Sequence, residues 1–340
     1  MRVTIGDVAD RAGVSIATVS RVVNGRYGVA SATQTRVQAV IDDLGYESSL
    51  IARSLRSQRT NVIGILVADI EPFSAELLKG AAKAVHGSEF ELVVYAAGHH
   101  NVDGWEQRYL SRLSGTLTDG TILVTPTVTD VFANQPIVAV DPHVGGSTLP
   151  TIDSQNFEGA QAMTEHLIAL GHRRIAFLAG RPDLESARRR EAGYRAALEA
   201  AGIAFDADLV RVGGFKEETA AAPVHELLTR SPRPTAVFAA NDLSAIQTMR
   251  SAAALGLRVP DDVSVAGFDN IPDSALTVPP LTTVDQSIQA QGAAAVQTLL
   301  ALIDDPDDPG DADPGKPRDA IHITLPTQLV IRSTTAPPIS

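Results

Sequence analysis

Apolar positions between residues 4 and 44 recur at helical spacing. Val8, Ala9 and Ala12 share one face of a first short helix. Val14, Val19, Val22 and Val23 share one face of a second, and Val37, Val40, Ile41 and Leu44 mark a third over Thr33–Leu44 that Gly45 stops. Thr4 caps the first helix with Asp7 three positions on, Gly13 gives the turn its backbone freedom, and Ser15 caps the second helix. Ile16, Ala17, Ser20 and Arg21 fall on a different face of that second helix. Small residues followed by one arginine a turn later make a surface that fits a major groove. A generic helical hairpin is the competing reading of so short a pattern.

From Asn61 the pattern changes to short apolar runs alternating with helical stretches. Val62–Val67, Leu92–Tyr95, Thr121–Val124 and Ile137–Val140 read as buried strands, with helices around 74–87 and 104–114 between the first three. A second series follows Asp153. It runs helix 157–170, strand Arg174–Leu178, helix 185–201, a strand near 209–213, and helix 217–230. Strand Ala236–Ala239, helix 242–255 and strand Val263–Ala266 complete it. Such runs imply parallel sheets covered on both faces. Two sheets in series make two α/β lobes, with ligands at the carboxyl ends of the strands and a cleft that closes by hinge motion.

Charge sharpens this division. Residues 1–59 hold eight arginines against five acids, a net +3, which leaves −15 on the other 281 residues. A basic head on an acidic body is the asymmetry expected when one end meets a polyanion, and the overall pI of 5.1 hides it. Between the two, Ser48–Arg59 is too short and too polar to hold a helix alone, so by its own pattern it is a flexible linker as readily as a helix. Asp304–Pro317 is acidic and rich in proline and glycine, and reads as a disordered surface loop. Aromatic residues make up only 4%, which predicts aliphatic cores, and the absence of cysteine excludes disulfide and thiolate chemistry. With no apolar leader and no stretch near 18 apolar residues, the expectation is a soluble, cytoplasmic protein.

Several motifs in fixed order carry a resemblance. Val14–Gly25 is similar to the recognition-helix signature of the LacI/GalR family of bacterial transcriptional regulators. Ala52–Leu55 resembles the family's hinge segment and Leu167–Ala176 its middle motif. Ala240–Asp242, Val265–Asp269, Pro279–Val284 and Leu325–Thr334 resemble its C-terminal motifs. The resemblance implies an all-α helix-turn-helix DNA-binding head (1–47), a hinge (48–60) and an α/β two-lobe, periplasmic-binding-protein-like effector and dimerisation domain (61–340). It places the N-lobe at about 61–154 and 288–322, the C-lobe at about 155–286 and 323–340, and three crossings near 153–156, 286–288 and 323–326. It also implies a homodimer on a pseudo-palindromic operator, and a hinge helix that folds on DNA with Leu55 wedged into the minor groove. Ser48, where relatives often carry proline, loosens the start of that helix.

Residue by residue, Ile16 and Ala17 are expected to meet thymine methyls, and Arg21 to pair with a guanine, a phosphate clamp being its other reading. Thr18, Ser20 and Ser31 are expected on phosphates; Thr4, Ser15 and Asn24 complete the DNA-facing set. For the cleft, the resemblance points to Arg190, Asn241, Asp269 and Gln286, whose planar donors and acceptors suit vicinal hydroxyls. Phe73 and Phe215 stack on a sugar ring, and Asp141 accepts hydroxyl protons. Phe215 as core and Asp269 as a turn cap stay open, while Arg188 and Arg189 read as solvated or in structural ion pairs. Glu71 and Pro142 depart from the family's common sugar-binding pattern, which leaves the ligand's identity open, an amino or nucleoside-like group included. His99 and His100 read as a polar rim or a surface loop, and neither a metal nor a cofactor is expected.

Three function classes compete. A transport binding protein shares the body and lacks the head. An enzyme acting on sugars would need a nucleophile elbow, a Walker loop or a dinucleotide loop, and none of the three patterns occurs. The expected reading is a non-enzymatic repressor of carbohydrate-metabolism genes, bound to double-stranded operator DNA as a dimer and controlled by a small sugar-like effector in the cleft.

Overall fold

The computed structural model describes residues 3–23, 28–44, 59–98, 104–113, 117–131, 133–145, 148–304 and 321–339. Asn24, Gly45, linker residues 48–58 with Leu55, His99, His100 and the acidic run 305–317 lie outside the described residues. The chain divides after Thr60 into two units.

The first unit holds α1 (Ile5–Ala12), α2 (Ile16–Val23) and α3 (Ser31–Leu44). Thr4 and Asp7 form a reciprocal cap: the Thr4 hydroxyl accepts from the Asp7 amide at 3.3 Å, and the Asp7 carboxylate accepts from the Thr4 amide at 2.7 Å. Gly13, at φ 65°, ends α1 in the left-handed conformation that only glycine adopts without strain. The Ser15 hydroxyl accepts from the Thr18 amide at 3.2 Å and so caps α2. Helix α3 begins at Ser31, ahead of the expected Thr33, because the Ala30 carbonyl already receives the Gln34 amide. Val8, Val19 and Val37, one from each helix, are wholly buried together.

The second unit runs β1 (Val62–Val67), α4 (Pro72–Val85), β2 (Glu91–Ala96), α5 (Trp105–Leu113), β3 (Gly120–Val124), β4 (Ile137–Val140), β5 (Thr151–Ser154) and α6 (Asn156–Ala169). It continues with β6 (Ile175–Ala179), α7 (Glu185–Ala200), β7 (Val210–Val212), α8 (Glu217–Thr229), β8 (Ala236–Ala239), α9 (Asp242–Ala254), β9 (Ser264–Ala266) and α10 (Pro272–Leu276). Last come β10 (Thr283–Asp285), α11 (Ile288–Asp304), β11 (His322–Leu325) and β12 (Gln328–Val330).

Two parallel sheets organise these elements. One has the order β11-β5-β4-β3-β1-β2, the other β7-β6-β8-β9, and an antiparallel pair β10-β12 adjoins the second through a bridge between Ala266 and Thr282. The chain leaves the first lobe after β5, returns to it with α11, and leaves again between β11 and β12. Helices α4 and α11 cover the first sheet in backbone contact: a Cβ built on Gly80 would lie 1.9 Å from the Gln289 carbonyl oxygen, and one on Gly292 would lie 2.1 Å from that of Leu77.

Two expectations are corrected here. Strand β2 is an edge strand with Val93 and Val94 42% and 41% exposed, not a buried one, because among the described residues no strand pairs with its outer side. The second core is not purely aliphatic either. It gathers Phe177, Tyr194, Phe238 and Phe268, with Phe177 and Tyr194 stacked at 4.9 Å, so a small aromatic complement is concentrated rather than spread.

Candidate functional site

The carboxyl ends of strands from both lobes converge on one cavity of about 210 Å³. Loops after β1, β3 and β4 bring Asp69, Thr125 and Asp141 from the first lobe; loops after β8 and β9 bring Asn241 and Asp269 from the second. The backbone is strained at this junction. Thr125, Asp141, Phe215 and Asp269 line the cavity with φ between 46° and 116°, and Ser287 beside Gln286 is also positive. Each such non-glycine residue costs of order 1–3 kcal/mol, and clusters of them mark places where geometry is held for a ligand.

Arg190, on the buried face of α7, forms the floor at 3% exposure. Its Nε donates to Asn156 Oδ1 at 2.8 Å, and its Nη1 donates to the Ala240 carbonyl at 2.6 Å and to Asp269 Oδ1 at 3.2 Å. Its Nη2 donates to Gln286 Oε1 at 3.4 Å, and the guanidinium lies 3.8 Å over the Phe268 ring. Gln286, which also accepts from Ser154 at 3.0 Å, ties two of the interlobe passages to this floor. Asn241 is committed on both sides: its oxygen caps α9 through the Ser244 amide at 3.0 Å, and its amide donates to the Phe215 carbonyl at 2.9 Å.

Polar contacts bridge the lobes around the cavity, the Glu185 amide donating to the His143 carbonyl at 3.0 Å and Arg188 Nη2 to the same oxygen at 3.3 Å. The Ser186 hydroxyl donates to Asp141 Oδ2 at 3.2 Å, and Lys216 Nζ lies 3.2 Å from Glu71 Oε1. Arg188 and Arg189 are drawn to Glu185 at 2.7 and 2.9 Å, the structural pairing that was one of their two readings. Phe73, Asp141, Arg190, Phe215, Asn241, Asp269 and Gln286 all line this cavity. Trp105, Ser186 and Lys216 line it too and were not anticipated. Ser186 had a signal, since it stands one helical turn before Arg190 on the same face. Trp105 had none, because nothing in its local pattern separates a cavity wall from a core position.

Burial pushes Asp141 up to about 6 against the opposing pull of Arg190. It raises Asp269 as well, again against Arg190 and with repulsion from Asp141, and it raises Asp242 beneath them, which accepts from the Ile271 amide and the Thr283 hydroxyl. A carboxyl whose folded pKa lies above its unfolded value stabilises the fold below the ordinary carboxylate range, and that contribution is lost as pH rises through the folded value. The buried His172, whose pKa burial lowers, runs the opposite way. Asp141→Asn is therefore expected to gain stability relative to wild type between pH 4 and about 6, read as the difference between two urea-unfolding series. A difference that stays flat across that range removes the shift.

In the first unit, Ile16 is 53% exposed, and Ala17 and Arg21 are exposed beside it on the outer face of α2. Among the described residues Arg21 has no ion-pair partner. Thr18 and Ser20 are half-buried, and Ser31 is exposed at the start of α3. The Thr4 hydroxyl donates to Asp7 at 2.7 Å, and those of Ser15 and Thr18 share a hydrogen bond of 2.9 Å, so these three serve the caps. Among the described residues no cluster of three metal-ligating side chains occurs, and no helix is long and apolar enough to cross a membrane.

Residues 4–49 match the profile of the bacterial regulatory proteins of the lacI family, and residues 164–335 match that of the periplasmic binding protein-like domain. The chain is 34% identical to the HTH-type transcriptional regulator CelR of Thermobifida fusca, over 98% of each. It is 35% identical to the ribose operon repressor of Halalkalibacterium halodurans, over 98% of this chain and 97% of that one. Among solved structures, the lac repressor dimer bound to operator and the anti-inducer ONPF superposes with a TM-score of 0.85 at 29% identity, covering 99% of this chain and all of that one. A complex of CelR with cellobiose gives 0.71 at 33% identity, covering 98% and 100%.

Proposed function

This chain belongs to the lacI family of bacterial regulatory proteins, DNA-binding transcriptional regulators, and on that premise we propose that it represses carbohydrate-metabolism genes under the control of a sugar effector. The observation that carries the effector half is the cavity: aromatic walls from Phe73, Trp105 and Phe215, with Asp141, Asp269 and Arg190 at the strand ends, suit a ring with an apolar face and a hydroxyl edge. Relatives whose structures hold cellobiose or ONPF share this architecture.

The mechanism follows from two lobes joined by three passages. A sugar bridging Asp141 and Asp269 adds contacts that only the closed arrangement makes, so it shifts the population of lobe arrangements. In this proposal the dimer carries two copies of α2 to the half-sites of a pseudo-palindromic operator, and residues 48–60 form hinge helices there, with Leu55 in the minor groove. Coupling is reciprocal, so operator lowers or raises sugar affinity by the same factor that sugar changes operator affinity. The sugar leaves unchanged, which chromatography of a sugar incubated with the protein checks.

Ile16, Ala17 and Arg21 are the residues we assign to base edges, with Thr4, Ser15, Thr18, Ser20, Asn24 and Ser31 toward the phosphates. Arg21→Ala is expected to lose about 1–3 kcal/mol of discrimination between operator and random DNA. Equal losses on both DNAs, measured by anisotropy at fixed salt, make Arg21 a phosphate contact instead.

We assign the dimer face to exposed apolar residues: Val93 and Val94 on β2, and Leu276 and Val278, 77% and 94% exposed, at and just beyond the end of α10. Leu276→Glu combined with Val278→Glu is expected to give a folded monomer in sedimentation, and an unchanged dimer rules this face out.

Genome-wide footprinting of the purified protein tests the whole reading. A few pseudo-palindromic sites beside sugar-uptake or glycosidase genes, released by one sugar, support it. Binding that is salt-sensitive but indifferent to sequence, with every sugar tried, overturns it.

A further inference from the structure

We infer that the cavity accepts unphosphorylated sugars and rejects their phosphate esters, an inference that rests on the effector reading above. Its basis is a mismatch of charge. Asp69, Glu71, Asp141 and Asp269 line the cavity, against the cations Arg181, Arg190 and Lys216. Each cation is already engaged. Arg181 forks the Asp183 carboxylate at 2.6 and 3.2 Å, Arg190 donates to four protein acceptors, and Lys216 holds Glu71.

Drawing Arg190 or Lys216 onto a phosphate strands Asp269 or Glu71 in its place. The helix amino-termini around the cavity, otherwise a natural seat for phosphate, give no substitute. Asn241 caps α9, and α4, α7 and α8 open on the acids Glu71, Glu185 and Glu217.

Acceptors, by contrast, are in surplus. Among the described residues, Asp141 receives a single side-chain hydrogen bond, from Ser186, which leaves lone pairs of its carboxylate open toward the cavity. Hydroxyl groups donate to such a wall, whereas a phosphate monoester replaces one of those donors with a group carrying about one to two negative charges. Within about 5 Å of one uncompensated carboxylate, at an effective dielectric near 20, that repulsion is enough to weaken binding on the order of a hundredfold.

Titration calorimetry of the full chain against glucose, galactose, mannose, ribose and cellobiose, each paired with its phosphate monoester, tests this. The expected result is binding by at least one parent sugar and an ester on the order of a hundredfold weaker. An ester as tight as its parent overturns the inference and leaves the effector reading standing. Silence from every pair removes the effector reading and this inference with it. Asp141→Asn separates charge from size, because it removes the charge at nearly constant volume. The ester-to-parent affinity ratio is expected to rise on the order of a hundredfold in that variant. A ratio that does not move, in a variant whose melting curve shows it folded, means that steric exclusion keeps esters out and overturns the charge argument.

Discussion

Arg190→Met is expected to lower stability by about 3 kcal/mol and to leave operator binding intact but unresponsive to sugar. The guanidinium is almost fully buried and holds Asn156, the Ala240 carbonyl, Asp269 and Gln286 in one arrangement. Methionine restores much of the volume against Phe268 but none of the donors. Breaking a buried pair by removing one partner typically costs about 3–5 kcal/mol, since the other charge is left uncompensated. The lower end applies here because Asp269, already inclined to keep its proton, can neutralise itself. The loss is thus expected to be smaller at pH 5 than at pH 8. Arg190→Lys retains the charge yet cannot fork to four acceptors, so it falls between the two. Urea unfolding at both pH values checks the ordering; a loss below about 1 kcal/mol at pH 8 shows that the floor is not held by this side chain.

Gly292→Ala carries a comparable effect by a different route. In an ordinary helix interior alanine is favoured over glycine by about 1 kcal/mol. Here the added methyl meets the Leu77 carbonyl oxygen at 2.1 Å and the Ala81 amide nitrogen at 3.0 Å, both main-chain atoms that no rotamer change can move. Helices α4 and α11 must separate to admit it, which opens the layer over Ile122 and Val140. Overpacking of this kind costs about 1–3 kcal/mol and occasionally more. The contact is helix to helix, so the upper end is expected, with Gly80→Ala alike. A melting temperature raised by the substitution would falsify the close approach.

Particular residues show why some of this was readable in sequence. Val62–Val67, Ile122–Val124, Ile137–Val140 and Ala236–Ala239 are buried on both faces, so they carry no polar side chain and stand out. Strands β5 (Thr-Ile-Asp-Ser), β10 (Thr-Val-Asp) and β11 (His-Ile-Thr-Leu) carry no such run. Their pairing is imposed by the neighbouring strand and by the chain's passage between lobes, which no local pattern encodes. The edge position of β2 was hidden for the related reason that an apolar edge and an apolar centre have the same composition. In the site, residues just past strand ends were legible because strand ends were. Their mutual commitments were not: that Lys216 finds Glu71 across the cavity, or that Ser186 finds Asp141, depends on two lobes meeting.

That last contact makes ionic strength an input to the protein. Glu71 and Lys216 are 38% and 44% exposed, so their attraction is screened as salt rises, while the buried floor around Arg190 is shielded from the same change. The bridge is worth about 1 kcal/mol at most. Even so, 1 kcal/mol is roughly a fivefold change in how often the lobes stand closed without any sugar. A cell that loads itself with salt in response to osmotic stress would shift the threshold at which this protein answers its effector, with no change in the sugar supply at all.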